Sequence, residues 1–217
     1  MTEIPGAPRV IRDHLIMPYL VGRDFAQAIE ARDGSDGMLD AWRRPPDSTE
    51  QVLHPEKLLG PEVDEPVVFT GGDPTAALGE GWDLALANTA GEFDLQIQFR
   101  EHLGQERGDA AAAGWDGMRY FFCEKEGTTG FIGLVSTWDS VEDAKEFARA
   151  WIDWASLRDG KENPARIVTA EDGALTADTP DGRVEVRIDK TTVLVADGVP
   201  PDRSTEVFAA LASAKPR

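Results

Sequence analysis

The chain has 217 residues and a formal charge of −18, with 40 acidic side chains against 22 basic ones. A surface with this charge repels phosphate backbones and anionic lipid headgroups, so the composition argues against nucleic-acid binding and against a membrane partner. Hydrophobic residues make up 41% of the chain, which suffices for an ordinary core. Two interpretations of the acidity stay open: it keeps the protein soluble, or it reflects a salty environment.

The first helical elements are indicated by apolar spacing and by proline. Apolar residues predict a helix over 8–32, which Pro18 should break or kink. A loop over Gly34–Gly37 and a short helix over Met38–Arg44 follow. Ser48 and Gln51 then form a capping-box pattern that starts a helical turn, and we expect Pro55 to end that turn at His54.

The next stretch has one short strand and further helices. Residues 65–70 form a β-like run. Helical spacing predicts a helix over 91–104, and the alanine-rich run over 109–113 predicts another, closed by Gly114. The N-terminal half, 1–114, is therefore expected to be mainly helical.

The second half, 115–217, is dominated by strands. Runs over 118–124 and 131–138 flank a turn and predict a hairpin, after which Ser140 caps a helix that reaches Leu157. Four further strands, expected over 165–170, 174–178, 183–189 and 192–197, form a meander before a last helix that Ser204 is expected to cap. The predicted fold class is α+β: a helical half, then an antiparallel sheet (hairpin plus four-strand meander) covered by helices on one face. Because no low-complexity linker separates the two halves, one continuous domain stays an open alternative.

The single cysteine and the N-terminus bear on location. Cys123 has no partner for an intramolecular disulfide, and its apolar neighbours predict a buried strand position. Residues 1–6 have neither the basic nor the apolar region of a signal peptide, and no apolar run has the roughly 20 residues of a membrane helix. We expect a cytoplasmic protein, or an extracellular or surface one if the chain is a fragment of a secreted protein.

Candidate catalytic residues are few. Glu50 and His54 are four residues apart, so one helical face could carry both as weak candidate metal ligands. His14 and His102 are expected at the surface or the core edge, and Trp151 and Trp154 in the core. The sequence has no His-Glu-x-x-His, no nucleophile elbow and no phosphate-binding loop, so we predict no catalytic or cofactor residue and at most zinc as a metal.

Three strings carry a resemblance to a known family: Pro18–Phe25, Pro45–Lys57 (Pro-Pro-Asp-Ser-Thr-Glu-Gln-Val-Leu-His-Pro-Glu-Lys) and Ala111–Gly117. In this order they resemble the C-terminal portion of predicted zincin-like metallopeptidases, over roughly residues 8–150. In that family a His-Glu-x-x-His helix and a downstream acidic residue precede the Pro-Tyr-x-x-Gly segment. This chain begins just before that segment, so the family's ligands have no matching positions here. The resemblance implies kinship of fold and not activity.

Three functional hypotheses follow. The first is a non-catalytic protein acting in protein interaction or structure, with a protein partner or a second copy of itself. The second is a hydrolase or metallopeptidase-like enzyme with an unrecognised site around Glu50 and His54. The third is a fragment of a larger peptidase whose zinc helix lies elsewhere.

Overall fold

A computed structural model describes residues 8–158, 168–169 and 174–217 of the chain. In this part the chain forms eight helices and nine strands, and the predicted α+β class is confirmed. The predicted strand over 165–170 is described only at residues 168–169, and the N-terminal segment 1–6 lies outside the described residues. None of the described helices combines the length and the apolar composition that a bilayer crossing requires.

The long helix α1 (Arg9–Arg43) differs from the prediction at Pro18. Helical dihedral angles continue through Pro18, and the interruption lies at Gly34, with φ 61° and ψ −150°. Only one backbone hydrogen bond is lost at a proline, and the exposed side of α1 leaves room for the ring. This backbone conformation costs residues with a side chain much more free energy than it costs glycine. Gly34 therefore lies between the two predicted helices, 8–32 and Met38–Arg44.

Two short helices follow, α2 (Thr49–Leu53) and α3 (Pro55–Leu59). The Ser48 hydroxyl accepts the Gln51 N–H at 3.1 Å, which confirms the predicted cap. His54 leaves the helical region, with φ −123° and ψ 75°, as expected before proline. Pro55 also begins α3, because a first helical position needs no N–H donor.

The helical half contributes one strand to the main sheet. It contains β1 (Phe69–Thr70), α4 (Thr75–Leu78), β2 (Asp83–Asn88), α5 (Glu92–Leu103) and α6 (Gln105–Ala112). Strand β2, which pairs with β3 at the edge of the sheet, was not predicted from the sequence. Its apolar residues form the unbroken run Leu84–Ala87 and are mostly exposed, so they do not show the alternation of apolar and polar residues that is typical of a half-buried strand.

The second half follows the predicted order. It consists of β3 (Trp115–Glu124), β4 (Phe131–Trp138), α7 (Val141–Leu157), β5 (Val168–Thr169), β6 (Leu175–Thr179), β7 (Gly182–Asp189), β8 (Thr192–Asp197), α8 (Ser204–Leu211) and β9 (Lys215–Pro216). The hairpin, the meander and both helices are therefore confirmed within the described residues. The predicted cap of the last helix is wrong, because Ser204 is the first residue of α8 and Arg203 occupies the N-cap position.

The main sheet is antiparallel throughout, in the order β2-β3-β4-β8-β7-β6-β5. Hairpin and meander meet where β4 pairs with β8, from Ile132 opposite Asp197 to Thr137 opposite Thr192. A separate two-stranded sheet pairs β1 with β9.

Helices cover both faces of the sheet, which corrects the expectation of one covered face. On one face α5, α6 and α7 share a core with Met118, Leu134, Val186 and Val195. On the other face α4 and α8 pack against Phe121, Phe131 and Ala196. Successive side chains of β3 and β4 point to opposite faces of the sheet, and both faces carry apolar residues. The odd-numbered residues, such as Phe121 and Phe131, therefore need a second layer of helices to bury them.

The two predicted halves share one hydrophobic core. Leu95 and Phe99 of α5 belong to the same buried cluster as Met118, Leu134 and Phe147 of the sheet half. Phe99 contacts Phe147 edge to face, with ring centroids 5.9 Å apart. The boundary near residue 114 therefore separates two kinds of secondary structure within a common core.

Candidate functional site

The predicted candidate Glu50 lies in an ionic cluster around Lys57, which we call the Lys57 cluster (Glu50, Lys57, Asp64 and Asp139). The Lys57 ammonium lies 2.6 Å from Glu50 Oε1, 2.6 Å from Asp139 Oδ2 and 3.0 Å from Asp64 Oδ2. An ammonium has three N–H donors, so three carboxylates satisfy it completely. The cluster thus joins α2 and α3 to the turn between β4 and α7.

Burial shapes the electrostatics of this cluster. The Glu50 side chain is 1% exposed and that of Lys57 is 18% exposed. Burial raises the pKa of Glu50 to about 7, although the Lys57 ammonium acts in the opposite direction. Burial alone would lower the pKa of Lys57, but its hydrogen bonds to Asp139, Glu50 and Asp64 outweigh that effect and raise it.

The carboxylates of Glu50, Asp64 and Asp139 are close enough together to hold a metal ion, since their oxygen atoms lie within 4.8 Å of one another. The Lys57 ammonium contacts all three of these oxygens. A cation bound there would have to displace an internal one that already makes three short ion pairs. The geometry therefore fits a lysine-centred structural cluster better than a metal site.

The second predicted candidate, His54, has a different partner. His54 Nε2 lies 3.0 Å from Glu92 Oε1, and Gln96 Nε2 donates to the same oxygen at 3.0 Å. Glu92 is fully buried, and its second oxygen, Oε2, has no hydrogen-bond partner among the residues that the structure describes. The Glu92 hydrogen bond raises the pKa of His54, although burial partly opposes it.

Glu50 lies in α2 and His54 caps that helix, but the two side chains bond to separate partners. Glu50 bonds Lys57, whose ammonium also contacts Asp139 after β4. His54 bonds Glu92 at the start of α5. The sequence spacing identified Glu50 and His54. It could not identify Glu92, which is 38 positions from His54, or Asp139, which is 82 positions from Lys57. The arrangement ties the N-terminal helices to the sheet.

The other singled-out residues have varied surroundings. His14 bonds Asp94 at 2.7 Å and is exposed, as predicted for a surface histidine, whereas His102 is half-buried at the core edge. Cys123 is fully buried on β3, with Thr75 Oγ1 3.6 Å from its sulfur, which confirms the predicted strand position. Trp151 belongs to the core, as predicted, but Trp154 is only partly buried.

A cavity of about 640 Å³ lies over the β2–β3–β4 part of the sheet, and we call it the sheet cavity. Its floor consists of alternate residues of β3, namely Met118, Tyr120 and Phe122. Neighbouring strands add Leu86, Asn88, Ile132 and Leu134. Successive strand side chains alternate between faces, so these residues form one continuous surface.

The sheet cavity exists because the helices leave this corner of the sheet uncovered. Helix α7 packs mainly over β6 and β7, and α5 packs on α6 and α7. Trp151 and Trp154 of α7 form one wall of the cavity, and Gln98, Glu101 and His102 of α5 form another. His14 and Asp94 lie at the side where α1 approaches α5.

The sheet cavity was not predicted from the sequence. The two tryptophans and the alternating apolar residues of β3 were signals, but each is also typical of a packed core. Only the position of α7 along the sheet decides whether such residues meet other side chains or an open space, and spacing within one element does not encode that position.

Comparisons with known proteins add one relationship. The profile of a family described as Domain of unknown function (DUF8575) matches residues 81–207. No curated protein matches the chain, and no solved structure does.

The match covers most of the sheet cavity and only part of the Lys57 cluster. It runs from β2 to α8 and includes every cavity residue except Val10 and His14. Glu50, Lys57 and Asp64 precede it, whereas Asp139 lies within it. Because the matched segment spans more than half of the chain, the protein belongs to the family of the domain of unknown function DUF8575.

Proposed function

We propose that this protein is non-catalytic and acts by binding other molecules. The observation that carries the proposal is the position of the Lys57 ammonium, which satisfies the three carboxylates that could otherwise hold a metal ion or exchange protons with a substrate. The Ser48–Lys57 string then has a structural role, because its charged side chains connect the helical half to the sheet half.

Kinship with the C-terminal portion of zincin-like metallopeptidases remains part of the proposal. It is supported by the three strings, of which Pro45–Lys57 is the most specific. In this fold that string forms a helix cap, a proline-initiated helix and the ion pairs of Lys57. These are folding devices that a family could share without sharing an active site.

A second candidate function is a hydrolase that uses His54. It is favoured by the His54–Glu92 pair, because a buried carboxylate that orients a half-exposed histidine is a common arrangement for a general base. Glu92 is 1% exposed and His54 is 36% exposed, so the ring could reach solvent. Its location away from the sheet cavity weighs against it.

Metal content is the first test of the proposal. Purified, tag-free protein is analysed by elemental mass spectrometry and titrated with zinc, alongside His54→Ala. We expect no stoichiometric zinc and no difference between the two proteins. One equivalent of zinc that is lost in His54→Ala would overturn the non-catalytic proposal in favour of a metal site at His54.

Hydrolytic activity is the second test. The protein is incubated with casein and with a set of p-nitrophenyl esters, with and without zinc. We expect no turnover above that of a heat-denatured sample. Robust hydrolysis that a chelator abolishes, or that His54→Ala abolishes, would contradict the proposal and support the hydrolase.

A further inference from the structure

We infer that the sheet cavity is a binding site for a small, flat, aromatic molecule that carries no negative charge. This inference rests on the proposed function only in taking binding, and not turnover, as the activity. Four aromatic side chains face the cavity: Tyr120, Phe122, Trp151 and Trp154.

The size and lining of the cavity suit such a molecule. Small-molecule sites commonly have volumes of roughly 300–1,000 Å³ and are mostly apolar with a few polar groups. The sheet cavity has about 640 Å³, and Leu86, Ile132 and Leu134 extend its apolar floor between the aromatic rings. An aromatic ligand would gain both burial and ring contacts there.

Two buried donors of cavity-lining residues, Gln98 Nε2 and Trp151 Nε1, make no hydrogen bond within the described residues. A buried donor without an acceptor costs free energy of about 1–3 kcal/mol. Gln98 Nε2 is shielded from solvent, so a ligand carbonyl or ring nitrogen would satisfy it once the amide turns toward the cavity. This gives the site a means of orienting its ligand.

Charge restricts the ligand further. The described residues that line the cavity include Asp94 and Glu101 but no lysine or arginine. Burial alone would lower the pKa of His14, but hydrogen bonds to the Val10 carbonyl and to Asp94 outweigh this effect and raise it. The ring bonds Asp94, so the positive charge of a protonated His14 is paired with that carboxylate. With a formal net charge of −18, the protein repels anions from this site.

Two fluorescent probes with one shared framework test both size and charge. N-phenyl-1-naphthylamine is neutral, and 8-anilino-1-naphthalenesulfonate adds a sulfonate to the same rings. We expect saturable binding of the neutral probe by the native protein, and binding of the anionic probe that is at least about tenfold weaker. No saturable binding of the neutral probe would overturn the inference, and equal affinities would overturn its charge restriction.

A cavity-filling variant and its matched control locate the bound probe. Ala90 lines the cavity, and Ala77 is similarly half-buried on the opposite face of the sheet, against the α8 core. We expect Ala90→Phe to reduce affinity for the neutral probe at least about tenfold, and Ala77→Phe to leave it unchanged. Equal effects of the two substitutions would show that the probe does not occupy the sheet cavity.

Nuclear magnetic resonance gives a readout that needs no variant. The chain has six tryptophans, and their indole N–H resonances report local contacts. The neutral probe should shift the Trp151 and Trp154 resonances and leave those of Trp42 and Trp82 in place, since Trp42 is 86% exposed and Trp82 packs on the other face. Shifts confined to Trp42 would indicate a surface site and overturn the inference.

The outcome of the probe-binding experiments does not depend on the outcome of the metal and hydrolysis tests of the proposed function. Probe binding without hydrolysis supports both proposals, whereas probe binding together with hydrolysis would overturn only the non-catalytic one. Absence of both binding and hydrolysis would overturn only the sheet-cavity inference.

Discussion

Lys57 is the residue on which the buried charge of Glu50 depends. Its ammonium is the cationic partner of Glu50, whose side chain is 1% exposed. Removing one member of a buried ion pair leaves an uncompensated charge, which costs far more than the intact pair contributes. The contribution of Lys57 to stability can therefore be measured by substitution.

We predict that Lys57→Met lowers the free energy of unfolding by about 3–5 kcal/mol near pH 8. Lys57 lowers the pKa of Glu50, so in the variant that pKa rises above about 7, and the buried carboxyl must take up a proton or stay charged without a partner. The loss should be smaller at pH 5, because the Glu50 carboxyl is protonated there in both proteins.

Urea denaturation at the two pH values measures both effects. Lys125→Met is the control, since Lys125 is exposed and, among the described residues, its side chain bonds only the Glu80 carbonyl, at 2.8 Å. A small, pH-independent loss in Lys57→Met would contradict the prediction.

His54 gives a separate prediction about pH. Its pKa is raised in the folded protein by the hydrogen bond to Glu92. The protonated ring therefore stabilises the fold below the unfolded pKa of about 6.5, and this contribution is lost as the pH rises through the higher folded pKa.

The stability difference between the native protein and His54→Gln should accordingly shrink as the pH rises from about 5.5 to about 8.5. Urea midpoints measured across this range give the difference, and His102→Gln controls for the loss of a histidine outside the Glu92 pair. A difference that stays constant with pH would show that the ring acts by packing alone.

The sequence predicted the site residues only in part. The spacing of Glu50 and His54 identified two residues that do lie in charged clusters, because helical geometry relates residues four apart. The partner of His54, Glu92, comes from α5, and the partner of Glu50 is Lys57, which also bonds Asp139. Lys57 follows His54 by only three residues, but the spacing of candidate metal ligands does not indicate it, because a lysine is not one.

At the scale of elements, Gly117 shows how the N-terminal half is attached to the sheet. Val67 N–H donates to the Asp116 carbonyl at 2.6 Å, so the chain before β1 passes close to the first residues of β3. A Cβ atom on Gly117 would overlap the Val67 carbonyl oxygen. Both groups are backbone atoms, so neither can rotate away.

We predict that Gly117→Ala lowers the free energy of unfolding by about 1–3 kcal/mol, as expected for overpacking. Gly22→Ala is the matched control, because nothing lies within 4 Å of a Cβ at that position in α1. Alanine favours a helix interior, so the control should be stabilised by roughly 0.5–1 kcal/mol. Thermal or urea unfolding measures both, and an unchanged Gly117→Ala would contradict the close approach.

Elements with strong local patterns were predicted better than those defined by contacts. Helix α7, with its Ser140 cap, and strand β7, with its alternating residues, follow from local rules. Strand β2 was missed because its apolar residues, Leu84–Ala87, form an unbroken run that does not alternate with polar ones. The covering of the second sheet face by α8 depends on where the chain turns after β8, which no local pattern reports.

For the whole molecule, net charge is the dominant long-range feature. Forty acidic side chains against 22 basic ones repel one another across the surface, and ions screen this repulsion. We predict that the melting temperature rises with KCl from about 10 mM upward, as the Debye length falls from about 30 Å to about 10 Å at 0.1 M. Thermal scans across this series measure it, and a flat or falling curve would contradict it.

The same scans separate the two interpretations of the acidity. A plateau near physiological ionic strength, about 0.15 M, fits a charge that serves mainly solubility. Stabilisation that continues into molar KCl fits adaptation to a salty environment.

The pairing of β4 with β8 also has a kinetic consequence. The β3–β4 hairpin and the β6–β7–β8 meander each join neighbours in sequence, so each can form early at a small cost in loop entropy. Thr137 meets Thr192 only after α7 and the segment beyond it have been bridged. Phe69 meets Pro216 only after the chain between them, which contains the whole main sheet, has been bridged. Folding should therefore be slow for a protein of this size, with its rate set by the docking of two preformed units.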